Sequence, residues 1–207
     1  MIVEQYGLRY IRVTEHDIEL IRYWRNKDFI RDTMQFKEYI THEMQRQWFK
    51  RINNKYNYYF IIEVDNQKIG LLNYKDPAPN TNSAEGGIFI WEQDYLGTPI
   101  PVLASLTMLE CMYEVLNLGD NSIITVAKNN QRALTFNKIL GYEIYEEYKD
   151  NSFYKLILTK ERYFEKTSKL KKAAALYCKG NTQIKIIASE SDLLSTDLNN
   201  YIRKASS

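Results

Sequence analysis

The stretch of residues 82–101 constrains this chain more than any other part of its sequence. An apolar, strand-like run leads into a short loop that contains Gly97 and Thr98, and Pro99 and Pro101 then open an apolar helix. A strand, a tight loop and a helix N-terminus in this order form the layout of a phosphate-binding cradle, because the first backbone N–H groups of a helix have no partner inside it. The two prolines stand where such a cradle would use N–H donors.

The elements on either side of this stretch indicate a mixed α+β fold. Alternating or β-rich apolar runs predict strands over residues 7–14, 58–64, 68–75, 84–92, 122–127, 142–148 and 152–159. Helical spacing and capping residues predict helices over residues 15–25, 29–34, 41–52, 102–117 and 130–140. The prolines of residues 76–80 predict a loop there. A strand meander followed by a strand–helix–strand unit predicts a central sheet of mixed direction, flanked by helices.

Composition narrows the class of protein. The chain has 207 residues, 44% hydrophobic and 26% charged, which suits a globular domain with a real core. A net charge of +2 gives no basic footprint for nucleic acid, and no apolar run is long enough for a membrane span. The two cysteines, Cys111 and Cys178, lack metal-ligand spacing, so we expect no metal site and a reducing, cytoplasmic setting.

The composition of the sequence changes after Arg162. A lysine-rich helix over residues 166–179, a strand-like run over 182–188 and a polar helix over 189–204 follow. We predict a domain over residues 1–162 and an extension of unknown role over 163–207, which would add a strand or cover a sheet edge. The basic helix is most simply a solvated face. Docking to an acidic acyl carrier protein is the alternative interpretation.

Two segments resemble hallmarks of the GNAT superfamily of acyl-CoA N-acyltransferases. Residues 83–90, Ser-Ala-Glu-Gly-Gly-Ile-Phe-Ile, resemble its central strand. Residues 126–142 resemble its second hallmark, with Asn130 after a strand, Ala133 on the next helix, and Gly141 between a leucine and an aromatic residue. The resemblance covers about residues 6–162. It implies the GNAT fold, acetyl-CoA as co-substrate and a primary amine on a small molecule as acceptor.

The resemblance also implies roles for the general base and for the residues that bind the co-substrate. Glu85 would be the general base, because an amine must be neutral to attack a thioester. A carboxylate that is merely solvated or paired with a lysine is the alternative for this residue. The pantetheine arm would bind the backbone of Ile88, Phe89 and Ile90. Further cofactor contacts would come from Gly97 and Thr98 to the pyrophosphate, and from Asn130, which is equally a helix N-cap.

The N-terminal half resembles acetyltransferases of nucleotide-linked amino sugars, and the ribosomal-protein branch has a similar layout. Arg25 would clamp a nucleotide phosphate, or else serve as a cation at a helix C-terminus. Asn26 would line the acceptor side or cap the helix. His42 would bind substrate or act as a base, or else lie on the surface. Lys75 would face a phosphate, although plain solvation is the simpler interpretation.

Two departures from the family pattern leave alternatives open. Pro99 and Pro101 remove two donors, at a cost of about 3–6 kcal/mol if both hydrogen bonds are charge-assisted. The remaining N–H groups are those of Gly97, Thr98, Ile100 and Val102, and the Thr98 hydroxyl is a further donor. Asn137 stands where the family carries a tyrosine general acid, for which Tyr95 and Tyr142 are candidate replacements.

The function predicted from the sequence is acetyl transfer from acetyl-CoA to a primary amine, with a nucleotide-linked amino sugar as the predicted acceptor. The alternatives are a protein or peptide N-acetyltransferase, a degenerate GNAT-like binding module, and an acyltransferase whose donor is a carrier-protein thioester. A homodimer is the oligomeric state that we consider beside the monomer.

Overall fold

Nine strands of the described residues form one mixed sheet with helices on both faces. The structure is a computed structural model that describes residues 1–149, 152–188 and 192. The strands are β1 (Ile2–Gln5), β2 (Leu8–Arg12), β3 (Tyr58–Val64), β4 (Gln67–Ala78), β5 (Ser83–Ile90), β6 (Asn121–Ala127), β7 (Glu143–Glu147), β8 (Phe153–Thr159) and β9 (Lys185–Ile187). The helices are α1 (Ile18–Arg25), α2 (Asp28–Arg31), α3 (His42–Ile52), α4 (Ile100–Glu110), α5 (Gln131–Leu140) and α6 (Lys160–Tyr177).

The strand order across the sheet is β7-β8-β6-β5-β4-β3-β2-β1-β9. Neighbouring strands are antiparallel except for β5 and β6, which are parallel. The β3–β4 hairpin turns at Asp65 and Asn66, whose φ angles of 48° and 64° are those of a tight hairpin turn. A parallel pair needs a long crossover, and α4 supplies it between β5 and β6. The mixed α+β fold predicted from the sequence is confirmed.

Successive residues of the strands point to opposite faces of the sheet and pack into two separate cores. The larger core, on what we call the α4 face, receives Tyr58, Phe60 and Tyr74 together with side chains of α4, α5 and α6. The smaller core, on what we call the α1 face, contains Tyr59, Ile61, Leu71 and Trp91 and is covered by α1, α2 and α3. Trp24 of α1 stacks on Trp91 with 5.9 Å between ring centroids.

Helices α3 and α5 begin where their capping residues predict. The Thr41 hydroxyl accepts a hydrogen bond from the Met44 amide at 3.2 Å, and the Asn130 side chain accepts one from the Ala133 amide at 3.1 Å. Gly141 ends α5 with a φ of 103°, a left-handed conformation that favours glycine. These caps fix the two ends of the segment that carries the second family hallmark.

One local prediction from the sequence is wrong, and one strand was missed. Strand β4 continues through Pro77 to Ala78, where we expected a loop. The register with β5 shifts between Lys75 and Ala78, and Asp76 has a φ of 50°. Pro77 therefore lies where the regular pairing is interrupted, and no ladder hydrogen bond there needs the N–H group that proline lacks. Strand β1 was not predicted at all, because four residues carry too little periodic signal.

The C-terminal segment packs onto the sheet. Helix α6 buries Tyr163, Thr167 and Ala174, and β9 pairs antiparallel with β1, so this segment covers a sheet edge. The lysine-rich helix is therefore not only a solvated face. A division after residue 162 stays a prediction, and α6 runs through it as one continuous helix. The polar helix predicted over residues 189–204 lies outside the described residues, apart from Asp192.

The described residues contain no helix with the length and apolar character that a bilayer crossing requires.

Candidate active site

The parallel strands β5 and β6 separate half-way along β5, and the resulting split is the candidate active site. Only three residue pairs join them in the described chain: Ser83 with Asn121, Ala84 with Ser122, and Glu85 with Ile123. Beyond Glu85, residues 86–90 stay paired with β4, while β6 stays paired with β8. Because strand backbone groups alternate in direction, part of the backbone of residues 86–90 faces the gap. An extended ligand can bind such backbone groups as an added strand would.

The closed end of the split is held by a cluster of backbone and side-chain contacts. The Asn121 amide donates to the Asn82 carbonyl at 3.0 Å, and the Asn82 side-chain amide donates to the Asp120 carboxylate at 2.8 Å. Gly119 has a φ of 126°, and a Cβ there would lie 2.7 Å from the Asn82 carbonyl. Only glycine fits this position, so the starts of β5 and β6 are held in one arrangement.

Glu85 lies on the α1 face at the point where the strands part. Lys75 is its cross-strand partner on β4, and the Lys75 Nζ lies 3.0 Å from the Glu85 Oε1. Burial lowers the pKa of Lys75, but the hydrogen bond and charge of Glu85, with a further contribution from Asp76, raise it above its ordinary value. The lysine is therefore cationic at neutral pH and holds the glutamate beside the split. The two alternatives raised for Glu85, base and lysine partner, are compatible in this geometry.

Arg25 reaches the same face from the end of α1. Its guanidinium carbon lies 6.0 Å from the ring centroid of Phe89, which is four residues beyond Glu85 on β5. The Nη1 atom of Arg25 is buried and has no hydrogen-bond partner among the described residues. Burial lowers the pKa of this guanidinium. This donor of the half-buried Arg25 is therefore not used by the described residues.

Asn26 and His42 fasten α1 to the start of α3. The Asn26 side chain donates to the Ile40 carbonyl at 2.9 Å and accepts from the Ile40 amide at 2.8 Å. His42 is exposed, with its Nδ1 2.9 Å from Glu19 and its Nε2 3.2 Å from Arg22. The structure thus brings Glu85 and Lys75 together and places Arg25 on their face, whereas Asn26 and His42 make their contacts within the helical cover.

The loop before α4 uses much of its own hydrogen-bonding capacity. The Thr98 hydroxyl donates to the Tyr95 carbonyl at 2.7 Å and accepts from the Ile100 amide at 3.2 Å. The Thr98 amide also donates to the Tyr95 carbonyl, at 3.2 Å. Among the described residues the amides of Gly97 and Val102 have no partner. The loop therefore offers fewer free donors than the four that the sequence suggested.

The two prolines occupy positions where their missing N–H groups matter least to the helix. Pro99 is the N-cap residue of α4, and Pro101 lies in its first turn. The N–H groups of a first turn lack intrahelical partners in any case, so the helix itself loses nothing. What is lost is only the donation of these groups to a ligand.

Arg132 is a candidate that the sequence analysis missed. Its Nη2 atom donates to the Leu96 carbonyl, so the exposed guanidinium lies beside the loop that contains Gly97. Arg132 is the second residue of α5 and lies two residues after the Asn130 cap. A cation at a helix N-terminus opposes the helix dipole, which is a sequence signal for a role other than helix stability.

The candidate general acids lie in different surroundings. The Asn137 side chain donates to the Ala133 carbonyl of its own helix at 2.8 Å. The Tyr142 hydroxyl lies 2.7 Å from the Ser122 hydroxyl in the core, and burial raises its pKa. Tyr95 is half-buried, and its hydroxyl donates to Gln67 at 3.2 Å. Tyr142 is therefore a core residue, and Tyr95 is the more accessible of the two.

Comparisons with known proteins show the family of this chain. Residues 8–143 match the family model described as an acetyltransferase (GNAT) domain, which is well over half of the chain. A search of curated proteins gives no match.

Solved structures share the fold at low sequence identity. A spermidine N-acetyltransferase from Vibrio cholerae, in complex with CoA and spermine, is 17% identical, with a TM-score of 0.69 and coverage of 76% of this chain and 98% of that one. FdhC, a nucleotide-linked sugar GNAT solved in its apo form, is 23% identical, with a TM-score of 0.67 and coverage of 82% and 96%. A domain from Methanocaldococcus jannaschii DSM 2661 is 22% identical, with a TM-score of 0.63 and coverage of 73% and 97%.

GNAT enzymes use acetyl-CoA, and one of these structural neighbours contains CoA. The chain therefore belongs to the GNAT acetyltransferase family and is an acetyl-CoA-dependent N-acetyltransferase.

Proposed function

We propose that this enzyme acetylates the primary amine of a nucleotide-linked amino sugar. One observation carries the proposal: the buried, unpartnered Nη1 of Arg25 on the face that also holds Glu85. A guanidinium binds phosphate oxygens through charge-assisted hydrogen bonds in a fixed planar geometry. The diphosphate of a sugar nucleotide would supply the missing acceptor.

The spacing along β5 supports the same class of acceptor. Glu85 and Phe89 lie four residues apart on one strand, which corresponds to about 13 Å. An acceptor with its amine at Glu85 and an anionic group near Arg25 would bridge these two positions. A sugar ring between an amine and a diphosphate has this character, with a reactive end and a charged end.

The charge of the site argues against a polyamine acceptor. Both Arg25 and Lys75 are cations on the acceptor face, and Lys75 already engages the carboxylate of Glu85. A polycation would meet like charges at both ends of this face, which weakens binding. The spermidine acetyltransferase named above shares the fold, and its substrate is a statement about that protein alone.

In the proposed reaction, acetyl-CoA supplies the thioester. Glu85 accepts a proton from the acceptor amine, directly or through a water molecule, as the nitrogen attacks the thioester carbonyl. Lys75 keeps the carboxylate in place. The backbone around Ile88 and Ile90 binds the pantetheine arm within the gap. The C–N bond forms and the C–S bond breaks, so the acetyl group passes directly from sulfur to nitrogen and no covalent enzyme intermediate is needed. CoA leaves as a thiolate, which takes up a proton from solvent.

On the donor side, the phosphates of the co-substrate lie near the loop before α4. The free amides of Gly97 and Val102, the Asn130 side chain and the Arg132 guanidinium are the groups that we assign to them. Thr98 contributes by shaping the loop through its bonds to Tyr95 and Ile100. Arg132 thereby offsets part of the donor loss at the two prolines, because a charged donor is worth more than a neutral one.

The test is a screen of acceptors by release of free thiol from acetyl-CoA. Amino-sugar nucleotides, peptides with a free N-terminus and spermidine are compared, and a carrier-protein thioester is run beside acetyl-CoA as donor. We expect the sugar nucleotide and acetyl-CoA to give the highest kcat/KM. A preference for a peptide or for spermidine would overturn the proposal.

The variant Arg25→Ala tests the phosphate clamp. We expect the KM for the sugar nucleotide to rise at least about tenfold, since one charged hydrogen bond contributes roughly 1.5–3 kcal/mol, with the KM for acetyl-CoA unchanged. Arg31→Ala is the matched control, because Arg31 on α2 pairs with Asp28 instead of facing the split. Equal changes in both KM values for Arg25→Ala would show that the residue only supports the fold.

A further inference from the structure

Asn73 is a polar residue of the α1 face that the function described so far does not use. It lies on β4, in register with Tyr59 of β3 and Gly87 of β5. Its side chain is half-buried, and its carboxamide makes no hydrogen bond to another described residue. A carboxamide is both a donor and an acceptor, so a group with both capacities is free on this face.

Gly87 makes room for that carboxamide. A Cβ at Gly87 would lie 2.8 Å from the Asn73 Oδ1, closer than real Cβ contacts come. The Asn73 side chain therefore occupies the place that a side chain of β5 would otherwise fill. The glycine and the asparagine together hold a polar group against the sheet at this point.

Asn73 and Gly87 lie between the two ends of the proposed acceptor site. Gly87 is two residues from Glu85 and two from Phe89 on the same face, which is about 7 Å in each direction. An acceptor that bridges Glu85 and Arg25 must pass over Asn73. The middle of such an acceptor would thus contact a carboxamide.

We propose that Asn73 is a specificity-determining residue that binds a ring hydroxyl of the acceptor. A hydroxyl donates and accepts hydrogen bonds, which matches both halves of a carboxamide. The methylene chain between the amines of a linear polyamine has nothing to offer this group. This inference rests on the proposed function, because it takes the acceptor to be a sugar that lies across the face.

The experiment uses the full chain, acetyl-CoA and a nucleoside-diphosphate-linked amino sugar, together with a set of analogues that each lack one ring hydroxyl. For Asn73→Ala we expect the acceptor KM to rise about tenfold, the effect of one hydrogen bond. For one deoxy analogue, Asn73→Ala and the wild-type enzyme should have the same KM. The KM for acetyl-CoA should not change. Asn80→Ala, at an exposed asparagine, is the matched control.

A second variant distinguishes loss of the Asn73 contact from loss of folding. Gly87→Ala keeps the Asn73 carboxamide but displaces it, and should raise the same acceptor KM. In the Asn73→Ala background the added methyl meets no carboxamide, so Gly87→Ala should then have little further effect. Thermal unfolding of each variant accompanies the kinetics.

Each outcome is decisive. If Asn73→Ala affects every deoxy analogue as much as the parent, or if Gly87→Ala costs the same in both backgrounds, the role of Asn73 is overturned while the sugar-nucleotide function stands. If the wild-type enzyme does not use the sugar nucleotide at all, the proposed function fails, and the hydroxyl contact fails with it. Loss of selectivity for one hydroxyl in Asn73→Ala supports the inference.

Discussion

The two sides of the split between β5 and β6 are built from different kinds of group. The side that we propose for the acceptor presents side chains, with Glu85, Lys75 and Asn73 on the strands and Arg25 from α1. The side that we propose for the donor presents mainly backbone, namely the gap-facing groups of residues 86–90 and the free amides of the loop. Side-chain chemistry depends on residue identity, whereas backbone donation depends on local conformation.

This difference explains why the donor loop looked better supplied in the sequence than it is. Of the four amides that the prolines leave, those of Thr98 and Ile100 are used within the loop. The phosphates would then depend on the amides of Gly97 and Val102 and on a side chain, Arg132. With this altered loop, phosphate binding on the donor side would depend partly on a side chain, as binding on the acceptor side does.

The largest expected effect comes from removing the proposed base. In Glu85→Gln we expect kcat to fall by about 10²–10⁴-fold, the usual contribution of general base catalysis. The acetyl-CoA affinity, measured by calorimetry, should not change, since Glu85 belongs to the acceptor side. Glu161→Gln in the exposed first turn of α6 is the control. A kcat near that of the wild-type enzyme would leave Glu85 only its pairing with Lys75.

The next effect tests whether the donor side depends on a side chain. In Arg132→Ala we expect the dissociation constant of acetyl-CoA to rise about tenfold or more, because a charge-assisted hydrogen bond is lost. The salt dependence of binding should also weaken. The acceptor KM should stay the same, the reverse of the result expected for Arg25→Ala. Lys138→Ala near the other end of α5 is the control. An equal effect on the acceptor would remove the distinction between the two sides.

The prediction with the smallest expected effect on catalysis concerns the start of α1, the helix that carries Arg25, and it is measured as a change in stability. Asp17 accepts hydrogen bonds from the amide and hydroxyl of Thr14 at 3.0 and 2.9 Å and pairs with Lys68 at 2.7 Å. Burial alone would raise the pKa of Asp17, but the bonds from Lys68 and Thr14 outweigh it and hold this pKa below its ordinary value of 3.8. The stability that Asp17 contributes is therefore present above pH 3.8 and is lost as the pH falls through the lowered pKa.

We expect Asp17→Asn to lower the free energy of unfolding by about 1–3 kcal/mol at neutral pH, as for the loss of a charged hydrogen-bond acceptor. Urea unfolding at neutral pH and below pH 3.8 measures this free energy for the variant and for the wild-type protein. The difference between the two proteins should become smaller in acid. The exposed Asp28→Asn is the control, with an expected loss of less than about 1 kcal/mol. A gap that persists in acid would mean that the ionised carboxylate is not the source.

Elements with local signals could be predicted from the sequence. The caps at Thr41 and Asn130 and the glycine at 141 act within a few residues, so the starts of α3 and α5 and the end of α5 follow from neighbours in the chain. Glu85 as a candidate follows from the family hallmark around it. These features need no knowledge of which strand lies beside which.

Features that depend on strand register could not be predicted. The pairing of Lys75 with Glu85, and the space that Gly87 leaves for Asn73, exist only because β4 and β5 align in one register. The approach of Arg132 to Leu96 joins two segments 36 residues apart in the chain. Strand β4 continues through Pro77 because its irregular pairing tolerates the missing donor, which no local rule indicates.

The contacts of Asn82 with Asp120 and Asn121 have a consequence for how far a ligand can enter. With the starts of β5 and β6 fixed and no side chain tolerated at Gly119, the strands diverge from a constant origin. A chain that slides between them halts where Glu85 and Ile123 come within pairing distance. If the donor binds in the split as proposed, the sheet sets its insertion depth, and the thioester would stop beside the carboxylate whatever is attached to its far end.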